Sequence, residues 1–296
     1  MIYKYDFTTD GGQQVFGYLK QFFSLLVRDA SNPRTLDFFS EVAFDQTGDT
    51  EWRILCYVSG AEVPAIELIM HGPTQSYDYR VAFAFNGTNM QTMQYRLVTS
   101  ETEPDDWQVQ YSKYYFFDES TGAYIQRTAP DDYDYEPNAF YTGMAIDWYF
   151  GDAGFRTGDG SPRYGYLTSK GIMLINRDGT ATVIAKTNNG KLALLTTDDS
   201  NLGRLAARYV VMGDADTIQP DNSPMLSFLN GDITIASADI PQDQQTSLAA
   251  ITTHRTDIPS YLDGVYMLPQ SQYRSEGVLS VGGDRYATNG YFALKE

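Results

Sequence analysis

The sequence predicts a mainly β protein of α+β character, with antiparallel sheets forming sandwich or barrel-like domains and a single N-terminal amphipathic helix. Three observations carry that expectation. Aromatics make up 14% of the chain, with 23 Tyr and 16 Phe, and such side chains fill a pleated surface well. Short apolar runs recur between Gly, Asn, Asp and Pro, too closely spaced for the long crossovers that parallel strands need. Only one stretch carries convincing helical periodicity.

That stretch covers residues 12–29, where Val15, Tyr18, Leu19, Phe22, Leu25 and Leu26 recur at spacings of three and four. Asp10 or Thr9 is placed to cap it, and Asp10 with Gln13 has the spacing of a capping box. Its Tyr and Phe among leucines suit packing on the face of a sheet. A polar turn follows at Ser31-Asn-Pro33. Strands are expected over residues 51–58, 65–71, 77–86, 90–99 and 111–117. After an acidic, Tyr-rich interval at 101–137, they resume over 145–150, 163–167, 171–176, 181–186 and 192–197.

Asn176-Arg-Asp-Gly179 and Asn188-Asn-Gly190 supply hairpin turns. The last third offers 207–212, 232–236 and three terminal strands near Gly264, Gly277 and Gly290. The composition shift places a domain boundary near residue 137, giving a helix-plus-β region over 1–137 and a β region over 138–296. A single composite domain is the alternative. The 296 residues accommodate either arrangement.

Charge bounds the partners. With 38 acidic and 21 basic residues and a net charge of -17, the chain has no basic run to track phosphates, so nucleic acid is not an expected partner. The negative charge serves solubility first, with a basic partner as the second use. The N-terminal residues Met1 to Phe7 resemble no signal peptide, and no stretch has the length and apolarity of a membrane span. Synthesis in a cytoplasm without membrane insertion is the expectation.

Chemistry is sparsely signalled. The single Cys56 lies within Ile54-Leu-Cys-Tyr-Val58 and is expected to pack in the core. His71 is expected to end a strand before Gly72-Pro73, and His254 to lie in a polar surface run. Neither has the spacing of a metal-binding pair. The glycine-rich stretch 151–160 continues into Ser-Pro-Arg-Tyr and reads as an Ω-type loop, not a phosphate cradle. Acids at Asp131, Asp132, Asp134 and Glu136, and at Asp214, Asp216 and Asp221, read as solvated loops, since neither set has EF-hand spacing. No catalytic, cofactor or metal residues are therefore expected, and the chain is read as non-enzymatic.

Aromatic residues offer the one candidate surface. Trp52, Trp107 and Trp148 with Tyr111, Tyr114 and Tyr115 are residue types on which sugars stack, and equally those favoured in sheets and protein interfaces. The interaction surface is expected around Trp107, Tyr111, Tyr114 and Tyr115.

Leu262-Asp-Gly-Val-Tyr-Met-Leu-Pro269, Gly277-Val-Leu-Ser-Val-Gly-Gly-Asp-Arg-Tyr286 and Tyr291-Phe-Ala-Leu294 resemble the ending of a family of tailed-phage virion structural proteins. Ile66-Glu-Leu-Ile-Met-His-Gly72 followed by Tyr79-Arg-Val-Ala-Phe83 is similar to a strand pair in that family's N-terminal third. The likeness is scattered and is strongest over about the last 35 residues. It departs from the family between Tyr286 and Tyr291, where a longer linker ending in Arg-Thr is usual. The resemblance implies a short strand before the N-terminal helix and a place in the tail, neck, collar or baseplate. It also implies partners among copies of the chain and other virion proteins, in a virion assembled in the host cytoplasm. A carbohydrate-binding host-recognition module, with a glycan as ligand, is the alternative expectation.

Overall fold

The computed structural model describes residues 1–7, 12–48, 50–72, 80–86, 90–98, 113–118, 123–128, 143–150, 155–156, 162–200, 204–212, 227–229, 233–235, 262–268 and 276–296. In chain order the elements are β1 (Tyr3–Asp6), α1 (Gly12–Ser24), β2 (Glu41–Thr47), β3 (Glu51–Tyr57), β4 (Ile66–His71), β5 (Arg80–Phe85) and β6 (Met90–Val98). There follow β7 (Lys113–Asp118), β8 (Ala123–Thr128), β9 (Gly143–Phe150), β10 (Phe155–Arg156), β11 (Pro162–Leu167), β12 (Gly171–Asn176), β13 (Ala181–Lys186), β14 (Leu192–Ser200) and β15 (Arg204–Met212). The last are β16 (Ser227–Phe228), β17 (Ile233–Ile235), β18 (Val265–Met267), β19 (Gly277–Val281), β20 (Asp284–Thr288) and β21 (Phe292–Lys295).

The strands form three open sheets. The largest has ten strands in the order β1-β11-β12-β13-β14-β15-β6-β9-β7-β8; a second has β10-β5-β4-β3-β2, and a third β16-β18-β21-β20-β19-β17. Among the described strands every pairing is antiparallel except the short β16–β18 contact. The fold is thus mainly β and sandwich-like, with one helix near the N-terminus, as composition and spacing predict. Strands from both sides of residue 137 share the ten-stranded sheet, where β1 pairs β11 and β6 pairs both β15 and β9. Among the described residues no helix is long and apolar enough to cross a membrane.

The principal core lies where the five-stranded sheet, α1 and the β11–β14 part of the large sheet converge. Strand β3 alternates strictly, burying Trp52, Ile54 and Cys56, and β4 adds Ile66, Leu68 and Met70. From the large sheet come Leu167, Ile172, Leu174, Ile184, Leu192 and Leu194. Alternation sends Met173, Ile175, Val183 and Leu195 to the opposite face of the large sheet, and they are buried too. Both faces of β12–β14 are therefore covered.

Helix α1 supplies Val15, Leu19 and Phe22 of the expected stripe to this core together with Phe16 and Phe23, while Tyr18 and Leu25 are only partly buried against it. The helix is shorter than the sequence suggests, ending at Ser24 and not at residue 29. There the Ser24 hydroxyl donates to the Lys20 carbonyl at 2.7 Å, a local bond that competes with the helical ladder. Tight turns follow, with Leu25 and Leu26 N–H donating to Phe22 and Phe23 carbonyls. The Leu25 and Leu26 carbonyls are then taken by the N–H groups of Leu36, Phe38 and Phe39 from the next loop. Leu26 stays buried without remaining helical, so apolar spacing outlasts the helix.

The loop itself closes on Asp29, whose Oδ1 accepts from the Ser31 N–H at 2.9 Å and hydroxyl at 2.7 Å. Those two bonds hold the Asp29 carboxyl below its ordinary range. The proposed caps Thr9 and Asp10 lie outside the described residues, as do the acidic groups at 131–136 and 214–221, the glycine-rich residues 151–154 and 157–160, and His254.

The third sheet encloses its own small core of Leu229, Leu268, Leu279, Val281, Tyr286 and Ala293. Burial there pushes the Tyr286 hydroxyl up to about 12. Polar contacts fasten this sheet to the β12–β13 hairpin. Asp263 N–H donates to the Lys186 carbonyl at 2.9 Å, while its carboxylate meets Lys170 Nζ at 2.7 Å. Buried Asn289 donates from Nδ2 to the Gly179 carbonyl and accepts at Oδ1 from the N–H groups of Tyr291 and Phe292. Its hydrogen-bonding capacity is thus used on both sides of the junction.

One glycine fixes how closely α1 can approach the large sheet. A Cβ on Gly165 of β11 would lie 2.8 Å from the Phe7 ring and 2.9 Å from the Phe22 ring. Phe7 and Phe22 meet edge to face at 5.7 Å directly over that position. Gly165→Ala is expected to cost about 1 to 3 kcal/mol by overpacking, with partial recovery in the double variant that also carries Phe7→Leu. Urea unfolding of the three variants measures this. Strict additivity of the two substitutions would show that the rings do not meet over Gly165.

Candidate functional site

Among the described residues, one group of ionisable side chains lies on the outer face of the five-stranded sheet, near its edge strand β2. Strand alternation places them there. With Trp52, Ile54 and Cys56 turned to the core, Glu51, Arg53, Leu55 and Tyr57 face outward, and in β4 Glu67 and His71 share that face.

Arg53 organises the group. Its Nε donates to Glu51 Oε1 at 2.8 Å, its Nη2 lies 2.7 Å from the same oxygen, and its Nη1 is 3.7 Å from Glu67 Oε2. The other Glu67 oxygen accepts from Asn86 Nδ2 at 2.9 Å, and the second Glu51 oxygen is 3.6 Å from His71 Nδ1. Hydrogen bonding to Glu51 holds the Arg53 guanidinium above its ordinary value, although the group is partly exposed. The two carboxylates are therefore engaged by a cation and an amide. Among the described residues no three His, Cys, Asp or Glu side chains are grouped to hold a metal ion.

Strand β2 lies beside this network and borders the sheet. It is joined to β3 by a tight turn in which Gly48 adopts φ 72°, and Asp45 stands opposite Arg53 in the register. Val42 reaches the core and Phe44 lies under Lys20 Nζ at 4.7 Å, but Phe44 is still 37% exposed and the strand is open to solvent from Phe44 to Thr47. The sequence pattern does not predict β2. Its signal is the Val42-Ala-Phe44 run before a Gly-Asp turn, obscured because an edge strand need not bury alternate residues.

The residues expected to form an aromatic surface are placed only in part. Trp107 and Tyr111 lie outside the described residues. Tyr114 and Tyr115 are consecutive in β7, opposite Arg127 and Gln126 of β8, so the two positions belong to opposite faces of the sheet. Trp52 is buried in the core against Phe16, with ring centroids 5.9 Å apart. Cys56 is buried as expected, and burial pushes its thiol well above the ordinary range, which leaves it a packing group. His71 ends β4, again as expected.

Compared with known proteins, the chain matches no family model, no curated protein and no solved structure.

Because the Arg53 network is partly exposed, its contribution is small. Arg53→Met is expected to lower stability by no more than about 1 kcal/mol in low salt, with the loss shrinking as salt is added. Denaturant titration at two ionic strengths checks this. A loss of several kcal/mol independent of salt would mean that the network is buried.

Proposed function

We propose that the chain is a non-enzymatic structural component of a tailed-phage virion, assembled in the host cytoplasm into the tail, neck, collar or baseplate. Its partners are copies of itself and neighbouring virion proteins. The observation that carries this reading is the C-terminal sequence resembling that family. Its residues supply β18 to β21, and Gly282 and Gly283, at φ 59° and 92°, make the turn between β19 and β20. The Gly-Gly pair thus has a physical reason, since both positions require left-handed backbone.

The architecture is compatible with such a role. A particle subunit acts by holding position, and position is held by surface area and open strand edges, not by a cleft. The long edge strand β2 and a surface rich in acids both belong to that kind of contact.

Particles purified from the phage that encodes the chain provide the test. Quantitative mass spectrometry is expected to find the chain in a fixed copy number per particle, retained through a density gradient. Its absence from particles in which the other tail and neck proteins are present would overturn the reading.

A further inference from the structure

We infer that β2 is a pairing edge, and that its occupant is β2 of a second copy, joined antiparallel about a two-fold axis to continue the five-stranded sheet.

Four observations support this. At seven residues, β2 is the longest edge strand in the described structure; β8 has six, β1 four, β17 three, and β10 and β16 two each. It contains neither Lys, Arg nor Pro, the residues that commonly blunt a strand edge, whereas β1 carries Lys4. Phe44, one of three exposed large hydrophobics among the described residues, lies at its centre.

The fourth observation is the hydrogen-bond phase. Gly72 N–H donates to the Thr50 carbonyl at 3.1 Å, just outside the Glu51–His71 pair, so that pair does not itself exchange hydrogen bonds. Alternation then turns the N–H and C=O groups of Glu51, Arg53 and Leu55 towards β2. On β2 the corresponding groups of Ala43, Asp45 and Thr47 are used, and those of Val42, Phe44 and Gln46 face outward. The Gln46 N–H, outside the ladder, is taken at 2.8 Å by the Asp45 carboxylate, a contact that pairing with a second copy would exchange for a backbone carbonyl.

Outward groups at 42, 44 and 46 define a symmetric register centred on Phe44. Phe44 opposes its own copy, Val42 opposes Gln46, Ala43 opposes Asp45 and Glu41 opposes Thr47. No acid then stands directly opposite an acid, and Arg53 beside Asp45 offsets the nearest charge. A seven-residue strand covers only part of the about 1,200 Å² of a standard interface, so the contact closes at high local concentration. The net charge of -17 opposes it, and added salt favours it. The pairing would supply one contact for the particle proposed above, but it stands independently of that assignment.

Disulfide trapping tests it, since opposed Phe44 positions would have Cα atoms about 5.5 Å apart, within disulfide range. Phe44→Cys is expected to form a covalent dimer under mild oxidation, faster as salt is raised, while Val63→Cys, at an exposed site off the edge, does not. The buried native Cys56 remains silent in both. In sedimentation velocity, wild type is expected to show a concentration-dependent dimer that Phe44→Lys lacks while retaining the wild-type circular dichroism.

Trapping of Phe44→Cys no faster than Val63→Cys would overturn the inference, as would preferential crosslinking of Phe44→Cys with Lys4→Cys, which would indicate a head-to-tail contact. A trapped dimer from a chain absent from particles would leave the pairing standing and remove the virion reading. A chain present in particles but never trapped would do the reverse.

Discussion

The close approach of Phe7 and Phe22 to the bare backbone of Gly165 sets the geometry on which much of the fold depends. The two rings occupy the space where a Cβ would stand, and they do so at the point where β1, α1 and β11 meet. Were α1 held further out, Val15, Leu19 and Phe23 would withdraw from Ile54, Leu68 and Leu174, which belong to the same core. Protein interiors are packed too densely to absorb such a shift without loss. A glycine in a strand ordinarily weakens it; here it admits an aromatic pair that joins the helix to the large sheet.

The C-terminal sheet follows a different physical logic. Its own core is small, and directed polar contacts at Lys170, Asp263, Gly179 and Asn289 join it to the rest of the chain. Such contacts fix orientation more strongly than they add free energy, since a net hydrogen bond contributes only about 1 kcal/mol. Gly264, at φ 77° and close against the Lys170 side chain, lets the chain turn into β18 without displacing that lysine. The glycines at 264, 282 and 283 therefore have local structural causes.

Legibility in the sequence varied with the kind of information required. Strands β12 and β13 matched their expected bounds because both faces are buried and Gly or Asn punctuates their ends. Helix α1 was visible in its stripe, but its end was not, since Leu25 and Leu26 keep helical spacing while Ser24 diverts the backbone. The sequence does not mark β2, β8, β10 or β16, and Phe155–Arg156 pair with β5 as β10 inside the stretch expected to be a loop; for β2, polar residues on both faces remove the alternation that marks a half-buried strand. The union of β1 with β11 and of β6 with β15 joins segments remote in sequence, where turn residues carry no information. At the site, Cys56 and His71 were legible from their runs, whereas the Arg53 network depends on register between β3 and β4 and was not.

The central claim is that α1, the five-stranded sheet and β11–β14 form one cooperative core. Native-state hydrogen exchange tests it directly through the amides of Phe22, Ile54, Leu174 and Ile184. The account predicts that all four exchange through the same global opening, with free energies agreeing within about 0.5 kcal/mol and equal denaturant dependence. Exchange of Phe22 through a local opening well below that of Leu174 would contradict it, because α1 would then be an appendage and not part of the core.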